Sequence, residues 1–278
     1  MKKVKRNYTA FGIHTVLPVL SLLILIPFVL MVLGSFREHI NIILKGALAL
    51  PVKWRFDHYV EVLFKYNFNR YFINTIIVTA PTIIVALVAS IMSAYALSFM
   101  SFPCKKIITT AITIVGIMIA TEFIMIPLYK FIATINLIDN YLGAILPQIA
   151  MSACFGTIVL RSFFMGLPKE LVEAGLVDGA SSWQILWKIL TPIAKPALIP
   201  TAALTTVWTW NEYLLPLIIL QDSSKVTLPV GLMFFKGQYT INIPLMLTGT
   251  TITTVPMLIF YFIFQRHVVK GLSQGILD

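Results

Sequence analysis

Six stretches of this 278-residue chain are each about 20 or more residues long and almost wholly apolar, the length a helix needs to cross a bilayer. They run Thr15–Phe36, Tyr71–Met100, Ile107–Phe131, Tyr141–Phe164, Ala197–Leu220 and Pro244–Phe264. The runs are continuous and do not alternate with period two, so helices are expected rather than barrel strands. Composition agrees. Only 12% of residues are charged and mean hydropathy is +0.89, against about 25% charged in soluble domains. The expectation is an all-α integral membrane protein with six spans in one domain over 1–278.

The net charge of +10 is carried mostly at the ends of apolar runs. Positive-inside topology explains that placement better than nucleic-acid binding does. Lys2, Lys3, Lys5 and Arg6, then Lys105 and Lys106, then Arg266 and Lys270 put both termini in the cytoplasm. The basic start and the run Val16–Gly34 resemble a signal peptide. That run is longer than a signal core and no small-residue cleavage site follows, so it reads as a retained first helix. The long outer loop Arg37–Arg70 carries Trp54, Tyr59, Phe64, Tyr66 and Phe68, and has room for one or two short helices. An interfacial aromatic belt and a docking surface for an external partner both fit it. Cys104 and Cys154 read as small hydrophobes, and His14, His39, His58 and His267 have no metal-ligand spacing. No nucleophile–base set stands out, and no lysine follows a glycine as a phosphate-binding loop requires.

The polar segment 165–196, between the fourth and fifth spans, is the most informative. Pro168 suits a first helical turn, Glu170 and Glu173 suit a helix N-terminus, and Gly179 suits a stop. Ser181 or Ser182 can cap a second helix over Trp183–Leu190, which Pro192 then breaks. A helix–turn–helix on the cytoplasmic face results. Gly175 and Gly179 are expected on one small-residue face with Ala174 and Ala180. The face fits a docking helix or an ordinary amphipathic connector.

The spacing resembles the EAA loop of bacterial ABC importer permeases: Glu-Ala-Ala, three residues, Gly, nine residues, Ile-x-Leu-Pro. Glu173, Ala174, Gly179, Ile189 and Pro192 match, with Gly175 for the second Ala and Thr191 for the Leu. Trp210-Asn211-Glu212, Ile126-Pro127-Leu128-Tyr129 and the tail Gln265–Gly275 are similar to elements of carbohydrate-uptake permeases, the smaller of the two in a maltose-type system. The tail departs by ending Ile276-Leu277-Asp278. The resemblance implies the type I importer fold and a coupling helix seated in a cytoplasmic ATPase dimer, with contact through Glu173, Ala174, Gly175, Asp178, Gly179 and Pro192. ATP and Mg would sit on that ATPase and no cofactor on this chain, which would not be an enzyme. A second homologous permease and an extracytoplasmic sugar-binding protein complete the implied complex. Sugar import by alternating access is implied, with a polyol or glycerol phosphate as alternative cargo and an ion-coupled secondary transporter as the competing class.

Two acids fall inside spans, Glu122 in the third and Glu212 in the fifth. An acid near a span centre costs on the order of 3 kcal/mol, so it faces a cavity or a partner. Trp210, Asn211, Glu212, Tyr213 and Glu122 are therefore candidates to line a path. Packing against the partner permease is the other reading.

Overall fold

The computed structural model describes residues 2–38, 46, 49–236 and 242–274. Among these the chain is helical and holds no strand. The helices are α1 (Lys2–Ser35), α2 (Asp57–Val60, widening into a π-helical turn Glu61–Lys65), α3 (Phe68–Phe99), α4 (Lys105–Thr113, widening likewise over Ile114–Met118), α5 (Thr121–Thr134) and α6 (Tyr141–Met165). Then follow α7 (Glu170–Val177), α8 (Ser182–Gln184, widening over Ile185–Leu190), α9 (Thr191–Ile193), α10 (Lys195–Asn211), α11 (Leu214–Ile219), α12 (Leu228–Gly231) and α13 (Ile243–Gln274). The tail residues 275–278 and the side chains of His14, His39 and His267 lie outside the described residues.

Four helical stretches are long and apolar enough to cross a membrane alone: Val16–Ser35, Phe68–Phe99, Tyr141–Met165 and Ile243–Arg266. The expected third span is instead a broken pair, Lys105–Met118 and Thr121–Thr134, bent by 108°. The break falls at Ile119 and Ala120, both extended. The expected fifth span is also interrupted, with α10 ending at Asn211 and Glu212 extended at ψ 122°. Pro216 supplies the cause. In an unbroken helix its ring would meet the carbonyl of Glu212, four residues back.

The chain packs as two compact units, Met1–Asn69 with Leu232–Val255, and Arg70–Gly231 with Pro256–Asp278. In the first unit the ring of Phe36 lies 5.1–5.3 Å from those of Trp54, Phe56 and Tyr59. The Ser35 hydroxyl meets the Tyr59 hydroxyl at 2.7 Å, and the Ser35 carbonyl accepts from Thr248 Oγ1 at 3.2 Å. Trp54, Phe56 and Phe64 remain exposed, while Phe68 and Val62 are fully buried. The expected short surface helix in this loop is thus α2.

The second unit is organised along α6. At one end of α6, Ala144 packs with Ile132 of α5 and with Leu215 and Ile219 of α11. There Asp139, in the left-handed region at φ 56°, accepts the backbone N–H groups of Gln221 and Asp222 on one carboxylate oxygen at 2.6 and 2.7 Å. Nearby, Asn74 donates to the carbonyls of Ser224 and Val226 at 3.0 and 2.8 Å and accepts from the Tyr141 hydroxyl at 2.8 Å. In the middle of α6, Gly156 lies against Ser90 of α3, whose hydroxyl sits 2.7 Å from Ala86 O and 3.2 Å from Ala153 O. Small residues let helices approach closely where lipid offers no hydrophobic driving force between them. Buried threonines along these helices satisfy their hydroxyls on carbonyls four residues back, as Thr82 does on Val78 and Thr201 on Ala197, both at 2.8 Å.

Candidate functional site: a helical hairpin and a cavity between broken helices

The far end of α6 carries the hairpin of segment 165–196. Its local structure follows from its sequence. Helix α7 has Glu170 and Glu173 in its first turn, where the helix dipole favours acids. It stops in a Schellman motif: Ala180 N donates to Gly175 O at 2.9 Å and Gly179 N to Leu176 O at 3.1 Å. Gly179 takes φ +79°, which only glycine adopts without strain. Ser181 then caps α8 in a full capping box with Gln184, at 2.8 and 3.3 Å. Pro192 does not end this second helix where expected. The turn widens over Ile185–Leu190, the Leu186 carbonyl accepts both the Thr191 N–H and, at 2.7 Å, the Thr191 hydroxyl, and helix continues to Ile193.

One shared core holds the hairpin to the long helices. Val172, Ile185, Leu186, Leu190 and Ala194 pack with Ile91, Ala94 and Tyr95 of α3 and Leu160 and Phe164 of α6. Each fully buried Leu or Ile there contributes about 1.5–3 kcal/mol. Gly175 belongs to this inner face and corrects the expectation of a shared glycine face. A Cβ on it would stand 3.2 Å from Ile185 Cγ1 and Ile189 Cδ1, whereas one on Gly179 would meet nothing within 4 Å. Gly175 thus closes the hairpin on itself. The outward face is Glu173, Ala174, Leu176, Val177, Asp178, Gly179 and Pro192, all exposed. Val177 is 87% exposed and Trp183 of α8 60%.

Between the two ends of α6 lies a cavity of about 660 Å³. Both helix breaks border it. Gly116, Ile119, Ala120, Thr121 and Glu122 come from the α4/α5 break, and Trp208, Thr209, Asn211 and Glu212 from the end of α10. The middle of α6 contributes Pro147, Gln148, Met151, Ser152 and Phe155. Gly116 permits the contact, because a Cβ there would stand 2.9 Å from the Phe155 backbone nitrogen. Of the candidate path residues, Glu122, Asn211 and Glu212 are brought together. Trp210 and Tyr213 are not among the lining residues.

Helical geometry explains the division. Trp208, Asn211 and Glu212 are three and four residues apart and share a face, while Trp210 points elsewhere. Trp210 is 7% exposed and sits edge-on to Phe72 at 5.8 Å. It lines a separate apolar cavity of about 270 Å³ with Phe72, Pro256 and Phe260. Glu212 has a structural duty as well, since its Oε1 accepts the Leu215 N–H at 3.1 Å and starts α11. Asn211 Nδ2 returns to Val207 O at 2.8 Å. Sequence reasoning missed Gln148, Ser152 and Phe155 as lining residues. Gln148 was a readable signal, an amide in an apolar span. Trp208 crosses Phe155 edge-to-face at 4.7 Å, forming an aromatic wall.

No group of three or more His, Cys, Asp or Glu that could hold a metal occurs among the described residues. What the arrangement offers is recognition: carboxylates, an amide, hydroxyls and an aromatic wall, set at interrupted helices as in many transporters.

Comparison with known proteins agrees with this architecture. The Streptomyces coelicolor diacetylchitobiose uptake system permease protein NgcG is 29% identical, over 97% of this chain and 89% of that one. The Bacillus subtilis arabinooligosaccharides transport system permease protein AraQ is 31% identical, over 92% and 91%. A crystal structure of a bacterial ABC transporter that imports the acidic polysaccharide alginate shares the fold at TM-score 0.77 and 24% identity, covering 94% of this chain and 97% of that one. The family profile described as "Binding-protein-dependent transport system inner membrane component" matches residues 71–274, so this chain belongs to the permease family of ATP-driven, binding-protein-dependent importers.

Proposed function

We propose that this chain is one permease half of a sugar importer of the cell membrane, moving a saccharide into the cytoplasm by alternating access. A multi-pass permease of this family works with an ATPase and a substrate-binding protein, and leaves hydrolysis to the ATPase. Relatives named for diacetylchitobiose and arabinooligosaccharide uptake support an oligosaccharide as cargo. The second half is a homologous permease, and both termini are cytoplasmic with the hairpin.

The hairpin carries the reading. Its inner face is locked to α3 and α6, while Glu173, Leu176 and Val177 of α7 and Trp183 of α8 are exposed. The exposed face seats in the ATPase groove. ATP-driven closure of the ATPases moves the hairpin, and α3 and α6 follow. Cargo and ATP shift the equilibrium only by favouring one state over the other. The test is co-purification of the ATPase with the tagged, inserted chain, together with saccharide uptake. Glu173→Lys and Val177→Asp are expected to abolish both while membrane insertion is unchanged. Normal ATPase recovery and uptake with both substitutions would refute the reading.

A further inference from the structure

We infer that the cavity between the broken helices selects for cargo without negative charge, its wall in this chain rejecting uronates and phosphorylated solutes. The inference rests on the importer reading and adds the charge class of the cargo.

Two carboxylates line the cavity, Glu122 and Glu212, and no lysine or arginine is among the lining residues. A second observation is independent of those acids. Gln148 also lines the cavity and is 8% exposed. Its Nε2 donates to Ala144 O at 3.0 Å, which orients the amide, and its Oε1 has no hydrogen-bond partner. A buried acceptor without a donor is costly, and in a native protein it calls for a ligand or water. Glu122, Glu212 and Gln148 Oε1 all accept. The amide nitrogens of Gln148 and Asn211 each spend one of their two N–H groups on a main-chain carbonyl. The charged groups of the wall are thus all acceptors, beside the neutral hydroxyls of Thr121, Ser152 and Thr209.

A saccharide supplies hydroxyl donors at many positions and an apolar ring face for the wall of Trp208 and Phe155. A uronate or glycerol phosphate brings an anion toward two carboxylates with no basic group beside them, where like charges are costly. Neutral saccharides fit, and acidic ones are turned away.

The experiment uses the whole complex, purified through a tag on this chain and held in lipid nanodiscs. Binding of radiolabelled neutral trisaccharides of glucose, arabinose and N-acetylglucosamine is compared with binding of trigalacturonate. At least one neutral probe is expected to bind about tenfold or more tightly than the uronate. The double variant Glu122→Gln, Glu212→Gln should bring trigalacturonate to within a few-fold of that neutral probe. The Glu212→Gln change keeps a side-chain oxygen to accept the Leu215 N–H, so α11 is preserved. Gln148→Leu should weaken the neutral probe several-fold and leave uronate discrimination intact. Equal binding of trigalacturonate to the unaltered complex, no binding of any neutral probe, or discrimination unchanged in the double variant overturns the inference. Recovery of the ATPase in the same preparation separates the two levels. Its absence defeats the importer reading, whereas its presence with any overturning result defeats this inference alone.

Discussion

Gly175 gives the sharpest test of how the hairpin is built. Gly175→Ala places a methyl 3.2 Å from Ile185 Cγ1 and Ile189 Cδ1, contacts that need shifts of a few tenths of an ångström. Alanine gains about 0.8–1 kcal/mol of helix propensity over glycine. The two effects oppose, and the net change should stay within about 1 kcal/mol. Gly175→Leu adds three more carbons to filled space and should cost about 1–3 kcal/mol through overpacking. That corresponds to an approximately 5- to 150-fold rise in the open population of the hairpin. Hydrogen exchange of the α7 amides in the nanodisc-held chain measures it, with exchange accelerating by the same factor where opening is rapid. Glu173→Lys, on the outer face, should leave α7 protection unchanged. If Gly175→Leu keeps wild-type protection at α7 yet loses the ATPase, Gly175 is a docking residue and the packing argument is wrong.

Three further outcomes follow from particular contacts. Asn74→Leu strands the Ser224 and Val226 carbonyls and the Tyr141 hydroxyl, and should cost about 1–3 kcal/mol, seen as a lower thermal midpoint in detergent. Gly156→Val drives a side chain into Ser90 and should cost about 1–3 kcal/mol, with Ser90→Gly recovering part of it in a double-mutant cycle. The Arg55 side-chain hydrogen bond holds the Asp57 carboxyl at about 2, below its ordinary 3.8. A depressed acid contributes stability above its unfolded pKa and loses it as pH falls through the folded one. The contribution is therefore complete above about pH 4 and fades toward pH 2, and exposure keeps it small. NMR titration of the Asp57 carboxyl should show its midpoint moving up toward 3.8 in Arg55→Gln; an unmoved midpoint would discard the pair as the cause.

Much of this molecule was written in short-range chemistry and could be read there. Glu170, Glu173, Gly179 and Ser181 mark helix starts and stops, and the hairpin follows them. Continuous apolar runs located α1, α3, α6 and α13. The interruptions escaped because hydropathy averages over them. A window across 107–131 or 197–220 stays apolar whether the helix is whole or broken. Pro216 was a visible cue at the second break; beside the first, Gly116 rests against α6, a contact far apart in sequence. The facing of Gly175 was illegible for a similar reason. Periodicity gives the angle between Gly175 and Gly179, but only the partners Ile185 and Ile189 decide which side is inside. Grouping Trp210 with Glu212 by adjacency overlooked the 100° turn per residue. Gln148 stood out in its span, yet its unpartnered oxygen emerges only from the packing around it.

The two interrupted helices also constrain how the chain is made. A membrane insertion channel passes segments to lipid largely one after another, and each must be tolerable there on arrival. The α4/α5 and α10/α11 stretches each bring a carboxylate and a kinked main chain, which hydrocarbon does not tolerate unaided. Their neighbour for both is the middle of α6, which follows one in the chain and precedes the other. The first is expected to gain that neighbour only once α6 has emerged, whereas the second emerges after it. Biogenesis of this protein is therefore expected to have an order. A substitution that weakens the middle of α6 should be felt first as degradation of newly made chains, before any defect in transport can be measured.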